Sequence, residues 1–168
     1  TRQDGVLVKS GEPTRRYLGT FHTTSTSTIE DSVTKRFLWN YYNRVYRRLY
    51  VTDNTATWVY ATAAYRQANG NTNNKVEVVV GVSEDPIKVE TRVRVGSPTV
   101  NIQVNSAIGI DSTTAQDSLC IVPSTHTQVS NINVIVSSYL ERTLSEGYHS
   151  IVWLEYGATG ATWSAGAA

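Results

Sequence analysis

Seven aromatic residues, Tyr41, Tyr42, Tyr46, Tyr50, Trp58, Tyr60 and Tyr65, fall within 25 residues of one another, and the amide-dense run QANGNTNN follows from Gln67 to Asn74. A sugar offers an apolar face rimmed by hydroxyls, so flat rings beside Asn and Gln amides are the ingredients of a glycan-binding surface. On that chemistry Trp58, Tyr60, Tyr65, Arg66, Asn69 and Asn71 are the candidate ligand-binding residues. The plainer reading is that many of these rings fill the core or a protein interface and that the amide run is a turn.

Catalytic arrangements are thinner. The three histidines, His22, His126 and His149, lie far apart, and a single cysteine, Cys120, cannot complete a zinc site with them. Ser and Thr are abundant, but no Gly-Xaa-Ser-Xaa-Gly elbow accompanies them. Two carboxylates can converge from distant strands as in a glycosidase, yet Glu30 and Asp31 read as loop, Glu84 and Asp85 as turn, and Glu90 as an outward charge. There is no phosphate loop, dinucleotide fingerprint or calcium loop. The expectation is a non-enzyme without cofactor or metal.

The elements that must hold these residues come from a chain of 168 residues, the size of one domain spanning 1–168, which buries roughly 70% of its unfolded surface. A formal net charge of +1 argues against wrapping nucleic acid. The basic residues Arg36, Arg44, Arg47 and Arg48 still cluster, with Arg15 and Arg16 nearby, as a local anion site or as Arg stems packed on Tyr rings at a subunit contact. No run of about 18 apolar residues is present, so membrane insertion is not expected. No signal peptide is visible, and a first residue of Thr1 reads as a piece of a longer protein. Cys120, between Leu119 and Ile121, reads as a small buried hydrophobe.

Period-two alternation dominates the C-terminal half. Ile87, Val89, Val93 and Val95 alternate with Lys88, Glu90, Arg92 and Arg94, and Val100, Ile102, Val104, Ile108 and Ile110 repeat the pattern against Asn101, Gln103, Asn105, Ala107 and Gly109. Both read as half-buried antiparallel strands. Val76, Val78, Val80 and Val82 form another inward row, as do Ile132, Val134, Val136 and Leu140. In the last strand Tyr148, Val152, Leu154 and Tyr156 alternate with His149, Ile151, Trp153 and Glu155, which leaves both faces apolar. It is expected to be covered twice, by the opposite sheet and a neighbouring subunit or by a long loop. Between Asp31 and Val51 a helix would align Phe37, Tyr41, Val45 and Arg48, whereas one long strand would align Phe37, Trp39, Tyr41, Val45, Leu49 and Val51; aromatic and β-branched enrichment favours the strand. Turns fall at Asp53-Asn54, Asn69-Gly70, Glu84-Asp85-Pro86, Gly96-Ser97-Pro98, Asp111-Ser112 and Glu146-Gly147. Trp163 is expected to anchor the Gly- and Ala-rich tail. The pattern predicts an all-β chain, a sandwich or a barrel, and the expected fold is an antiparallel, jelly-roll-like β-sandwich.

The aromatic and basic centre KRFLWNYYNRVYR, Lys35 to Arg47, with the flanking RRYLGTF and AYRQANG, resembles the C-terminal domain of structural proteins from tailed-bacteriophage virions. DGVLVKSG (Asp4 to Gly11), AIGIDST (Ala107 to Thr113) and GYHSIVWLE (Gly147 to Glu155) extend the resemblance in the same order and at similar spacing over nearly the whole chain. The resemblance implies a virion appendage or fibre domain, a homotrimeric knob on the particle's tail or head that meets other virion proteins and host-surface polysaccharide. It supplies no known binding residue. On this reading Tyr42, Arg44, Tyr46, His149, Ile151 and Trp153 are the candidate oligomer contacts. The alternatives are an architectural trimerisation cap or capsid-decorating module without ligand, and the accessory domain of a polysaccharide-degrading tailspike.

Overall fold

The computed structural model describes residues 1–97, 102–123, 125–126, 132–157 and 161–164, and over these the chain is all-β. Its strands are β1 (Arg2–Gln3), β2 (Val6–Lys9), β3 (Glu12–Arg16), β4 (Gly19–Phe21), β5 (Lys35–Arg36), β6 (Leu38–Asn40), β7 (Trp58–Val59), β8 (Tyr65–Gln67), β9 (Lys75–Val80), β10 (Pro86–Ser97), β11 (Gln103–Ile110), β12 (Thr125–His126), β13 (Ile132–Thr143), β14 (Gly147–Tyr156) and β15 (Thr162–Ser164). A single 3-10 turn, Ala68–Gly70, follows β8.

Two larger sheets carry the core, one in the order β13-β10-β15-β7 and the other in the order β12-β11-β14-β9-β5 with β8 also on β14. Small sheets β1-β2-β3 and β4-β6 lie outside them. The pairings are antiparallel except that β5 joins β9 in parallel. The two large sheets share their apolar residues, an arrangement consistent with a β-sandwich. One cluster joins Leu140 of β13 to Ala107, Ile108, Ile151, Val152 and Leu154, and the other joins Val93, Val95, Val136, Trp58 and Trp163 to Ile102 and Val104. A hydroxyl chain ties the layers where burial demands partners: Thr91 Oγ1 lies 2.7 Å from Ser106 Oγ and 2.6 Å from Ser138 Oγ.

Alternation along β10 and β13 places Val93, Val95, Val136 and Leu140 inside, while Lys88, Glu90, Arg92 and Ile135 face out. Trp163 is fully buried, and its strand β15 lies between β10 and β7. Two expectations need correction. β11 is not half-buried, because Asn105, Ser106, Ala107 and Ile108 are all covered; its odd-numbered side meets the connection after the strand, where a Cβ at Gly109 would collide with the carbonyls of Ser112 and Ala115. Val100 and Asn101, placed in that strand by the pattern, lie outside the described residues. The stretch from Asp31 to Val51 is neither a helix nor one long strand. It forms β5 and β6 and then leaves the sheet, because the Asn40 side-chain oxygen accepts the Tyr42 N–H at 2.9 Å and turns the chain. An irregular arm over residues 43–57 follows.

Candidate functional site

The candidate ligand residues converge, but on a carboxylate of the chain itself. Glu155 of β14 has no exposed surface. It follows the buried Val152 and Leu154 on that strand, where an unpartnered charge would be costly. Its Oε2 accepts the Trp58 indole N–H at 2.6 Å, and its Oε1 accepts the Arg66 Nε–H at 2.7 Å and the Asn69 backbone N–H at 3.0 Å. Register supplies Arg66, since β8 pairs with β14 and sets Arg66 opposite Glu155. Burial pushes the carboxyl above its ordinary range, and the bonds from Trp58 and Arg66 pull it back only in part.

A second carboxylate organises the amide run. Asp53, buried on the irregular arm, receives side-chain amide N–H groups at Oδ2 from Asn74 at 2.7 Å, Asn69 at 3.1 Å and Asn71 at 3.3 Å, and the Thr55 backbone N–H at Oδ1 at 2.9 Å. Burial by itself would raise this carboxyl, but the donors from Asn74, Thr55 and Asn69 outweigh it and hold it well below the usual aspartate range. Asn69 links the two centres, giving its backbone N–H to Glu155 and its side chain to Asp53. It does so from φ 56°, a left-handed conformation that Asn tolerates better than most residues.

Of the six candidate ligand residues, Trp58 is thus buried against Glu155, and the amides of Asn69 and Asn71 are spent on Asp53. Tyr60 is half-buried beneath the Arg66 guanidinium, 3.9 Å from the ring centre, and gives its hydroxyl to the Ala64 carbonyl. Tyr65 packs on Tyr156 with ring centres 5.3 Å apart. Trp58, Arg66, Asn69 and Asn71 are thus together in space, turned toward two acids of the chain. Those acids were missed. Asp53 read as a turn former, and Glu155 read as one of an apolar face, although a carboxylate on such a face had to find donors.

The candidate oligomer contacts divide. Ile151 is buried in the chain's own core, and Trp153 gives its indole N–H to Ser106 at 3.0 Å while meeting Trp58 edge-on at 6.2 Å. The odd-numbered face of β14 is therefore covered by the chain itself. His149 is buried too, with Nδ1 2.7 Å from Asp111 Oδ2 and Nε2 2.9 Å from the Ser145 carbonyl oxygen. Ser145 Oγ lies 3.3 Å from that same Nε2, so the residue types of a hydrolytic triad are present. Nε2 lies closer to the Ser145 carbonyl oxygen than to its hydroxyl, and the set ties the Asp111 turn to the β13–β14 hairpin. Arg44 packs over Tyr41 at 4.7 Å and Trp39 at 5.3 Å and pairs with Glu84 and Asp85 within the chain. Tyr42 and Tyr46 are exposed, Tyr46 by 83%.

The remaining carboxylates considered from sequence are partnered: Glu30 with Lys35, Asp31 with Arg47, and Glu90 with Arg92. Among the described residues no group of three or more His, Cys, Asp and Glu could hold a metal ion, and no helix is long and apolar enough to cross a membrane. No protein-family model matches the chain, and neither a curated protein nor a solved structure matches it.

Proposed function

We propose that the chain is a non-enzymatic structural domain of a phage virion, a jelly-roll-like sandwich that assembles as a homotrimer at the tip of a tail or head fibre or other appendage. The observation that supports assembly is the apolar surface left on the arm after β6: Tyr42 is 57% exposed, Val45 49%, Tyr46 83% and Tyr50 51%. Rings gathered on one irregular segment are the composition of a contact surface rather than of a solvated loop. The virion setting rests on the ordered motifs DGVLVKSG, KRFLWNYYNRVYR, AIGIDST and GYHSIVWLE. Sedimentation or native mass measurement tests the assembly; a stable monomer at micromolar concentration would remove it.

The inward turn of Trp58, Asn69 and Asn71 favours an architectural role over glycan capture by those residues. Host-surface attachment keeps one support, the exposed rings of Tyr42 and Tyr46, which have the flat apolar faces that sugars stack on. A glycan array separates the two readings. A specific hit lost in Tyr42→Ala or Tyr46→Ala supports attachment, and a silent array leaves the cap.

A further inference from the structure

The arm after β6 crosses the start of β5. Tyr50 donates its backbone N–H to the Val33 carbonyl at 2.9 Å, and Leu49 packs against the core cluster of Ile151 and Val152. The crossing sets Arg36 of β5 and Arg44, Arg47 and Arg48 of the arm in the lining of the same open groove between β9 and β10. The chain supplies acids to only part of this group. Arg44 pairs with Glu84 at 2.7 Å and with Asp85 at 3.3 Å, and Arg47 pairs with Asp31 at 2.5 Å. Arg36 and Arg48 have no acid partner among the described residues.

Arg36 is the most poorly satisfied of them. Its guanidinium reaches the Val45 carbonyl with Nη1 at 3.4 Å, and its Nε–H is buried without an acceptor. Burial and the nearby charge of Arg47 hold this guanidinium below its ordinary value, and Asp31 offsets them only in part. A half-buried cation with one long bond lacks acceptors that an anion would supply. Arg36 and Arg47 share one acid, Asp31, so the surplus between them is a single positive charge. A planar, singly charged carboxylate matches both that surplus and the fork of a guanidinium. Arg48 adds a second open cation, its guanidinium 5.5 Å from the centre of the Tyr50 ring.

We infer that Arg36, with Arg47 and Arg48, binds the carboxylate of an acidic sugar whose ring lies toward the exposed Tyr46 in the same groove. This rests on the host-attachment reading and names its ligand class. The arginines read the charge, and the ring meets the apolar face of the sugar.

Calorimetry with oligogalacturonate, with the same oligomer as its neutral methyl ester, and with sodium acetate tests it on the wild type, Arg36→Gln and Arg48→Gln. The acid oligomer is expected to bind at least about tenfold more tightly than the ester or acetate, and each variant should weaken it at least about tenfold, as the loss of a bond to a charged group does. The urea midpoint of Arg36→Gln should hold or rise, because an uncompensated half-buried charge is removed. A lowered midpoint with binding intact would make Arg36 a structural cation and overturn the inference. Arg48 is exposed, so its variant keeps the fold and decides the matter if Arg36→Gln unfolds. Acid and ester bound alike would overturn the carboxylate and leave attachment standing. Acetate bound as tightly as the oligomer would mean an adventitious ion only, and the sugar falls. No binding by any of the three overturns the inference, whereas attachment itself falls only if the glycan array is silent too.

Discussion

The indole N–H of Trp58 donates to the Glu155 carboxylate at 2.6 Å, joining positions separated by 97 residues. Trp58 begins the strand that ends one sheet, and Glu155 lies on β14 in the other, so one bond fastens the end of the arm to the central strand of the opposite layer. Arg66 and Asn69 complete the grip, and the loop from Gln67 to Asn74 is held between Glu155 and Asp53.

Removing the acid should therefore loosen more than one bond. Glu155→Gln keeps the shape but replaces the charge that Trp58, Arg66 and Asn69 address, and it presents an N–H to some of those donors. A hydrogen bond to a charged group contributes about 1.5 to 3 kcal/mol, and a buried donor left without a partner costs a similar amount. A loss of about 2 to 4 kcal/mol is expected in urea unfolding, with the m-value unchanged. A wild-type midpoint in Glu155→Gln would show that this cluster does not hold the layers.

Much of the scaffold was legible in the sequence because period two is a direct image of a sheet with one wet face. Lys88, Glu90, Arg92 and Arg94 announce the solvent side of β10, and Val93 and Val95 fall inside as the alternation requires. The rule fails in β11, where Asn105 and Ser106 are buried, because a polar side chain marks solvent only if no neighbouring segment supplies partners. It fails again from Asp31 to Val51. Aromatic enrichment says that the residues seek cover, whereas local chemistry, the Asn40 side chain capturing the Tyr42 N–H, decides that the cover is not a continuous strand. The candidate site was legible as a grouping, since Trp58, Arg66, Asn69 and Asn71 do meet. Its direction was not, because inward amides need an acid, and that acid, Asp53, lies on the arm at a sequence distance with no period to reveal it.

Asp53 should make stability depend on acid. Its folded carboxyl titrates below the ordinary aspartate value of about 3.9, so the folded chain binds fewer protons than the unfolded one as pH falls through that region. The contribution is complete above about pH 5 and is lost progressively as the solution is acidified toward the depressed folded value. Asp53→Asn removes it, so the variant should be less stable near neutral pH and the gap to wild type should narrow between about pH 5 and pH 2. The two stability curves measured by urea unfolding check this. Parallel curves would mean that Asp53 is no better solvated in the fold than out of it.

Cys120 should be silent to thiol reagents while the protein is folded. Burial pushes its thiol above the ordinary value, which lowers the thiolate fraction as well as the access. At pH 8 the folded chain is expected to react with an aromatic disulfide reagent at least about 100-fold more slowly than the chain in denaturant. Equal rates would place the side chain at the surface.

The two Trp residues on either side of Trp58 should respond to truncation in the same way, as folding mutants. Trp163 is fully buried opposite Trp58 on β7, and Trp153 reaches Ser106 and the edge of the Trp58 ring, so each has its partners inside one chain. Trp163→Ala should cost about 3 to 5 kcal/mol by emptying the core, and Trp153→Ala somewhat less because part of its ring is exposed. Neither loss should depend on protein concentration beyond that of the wild type. Tyr46→Ala should do the reverse, leaving the unfolding of the isolated chain within about 0.5 kcal/mol of wild type, as exposed sites do, while shifting the mass distribution toward monomer. The pair of measurements places the two kinds of ring on opposite sides of one boundary: a concentration-dependent loss in Trp153→Ala would return the odd-numbered face of β14 to the contact between copies, and an unshifted mass in Tyr46→Ala would take the arm out of it.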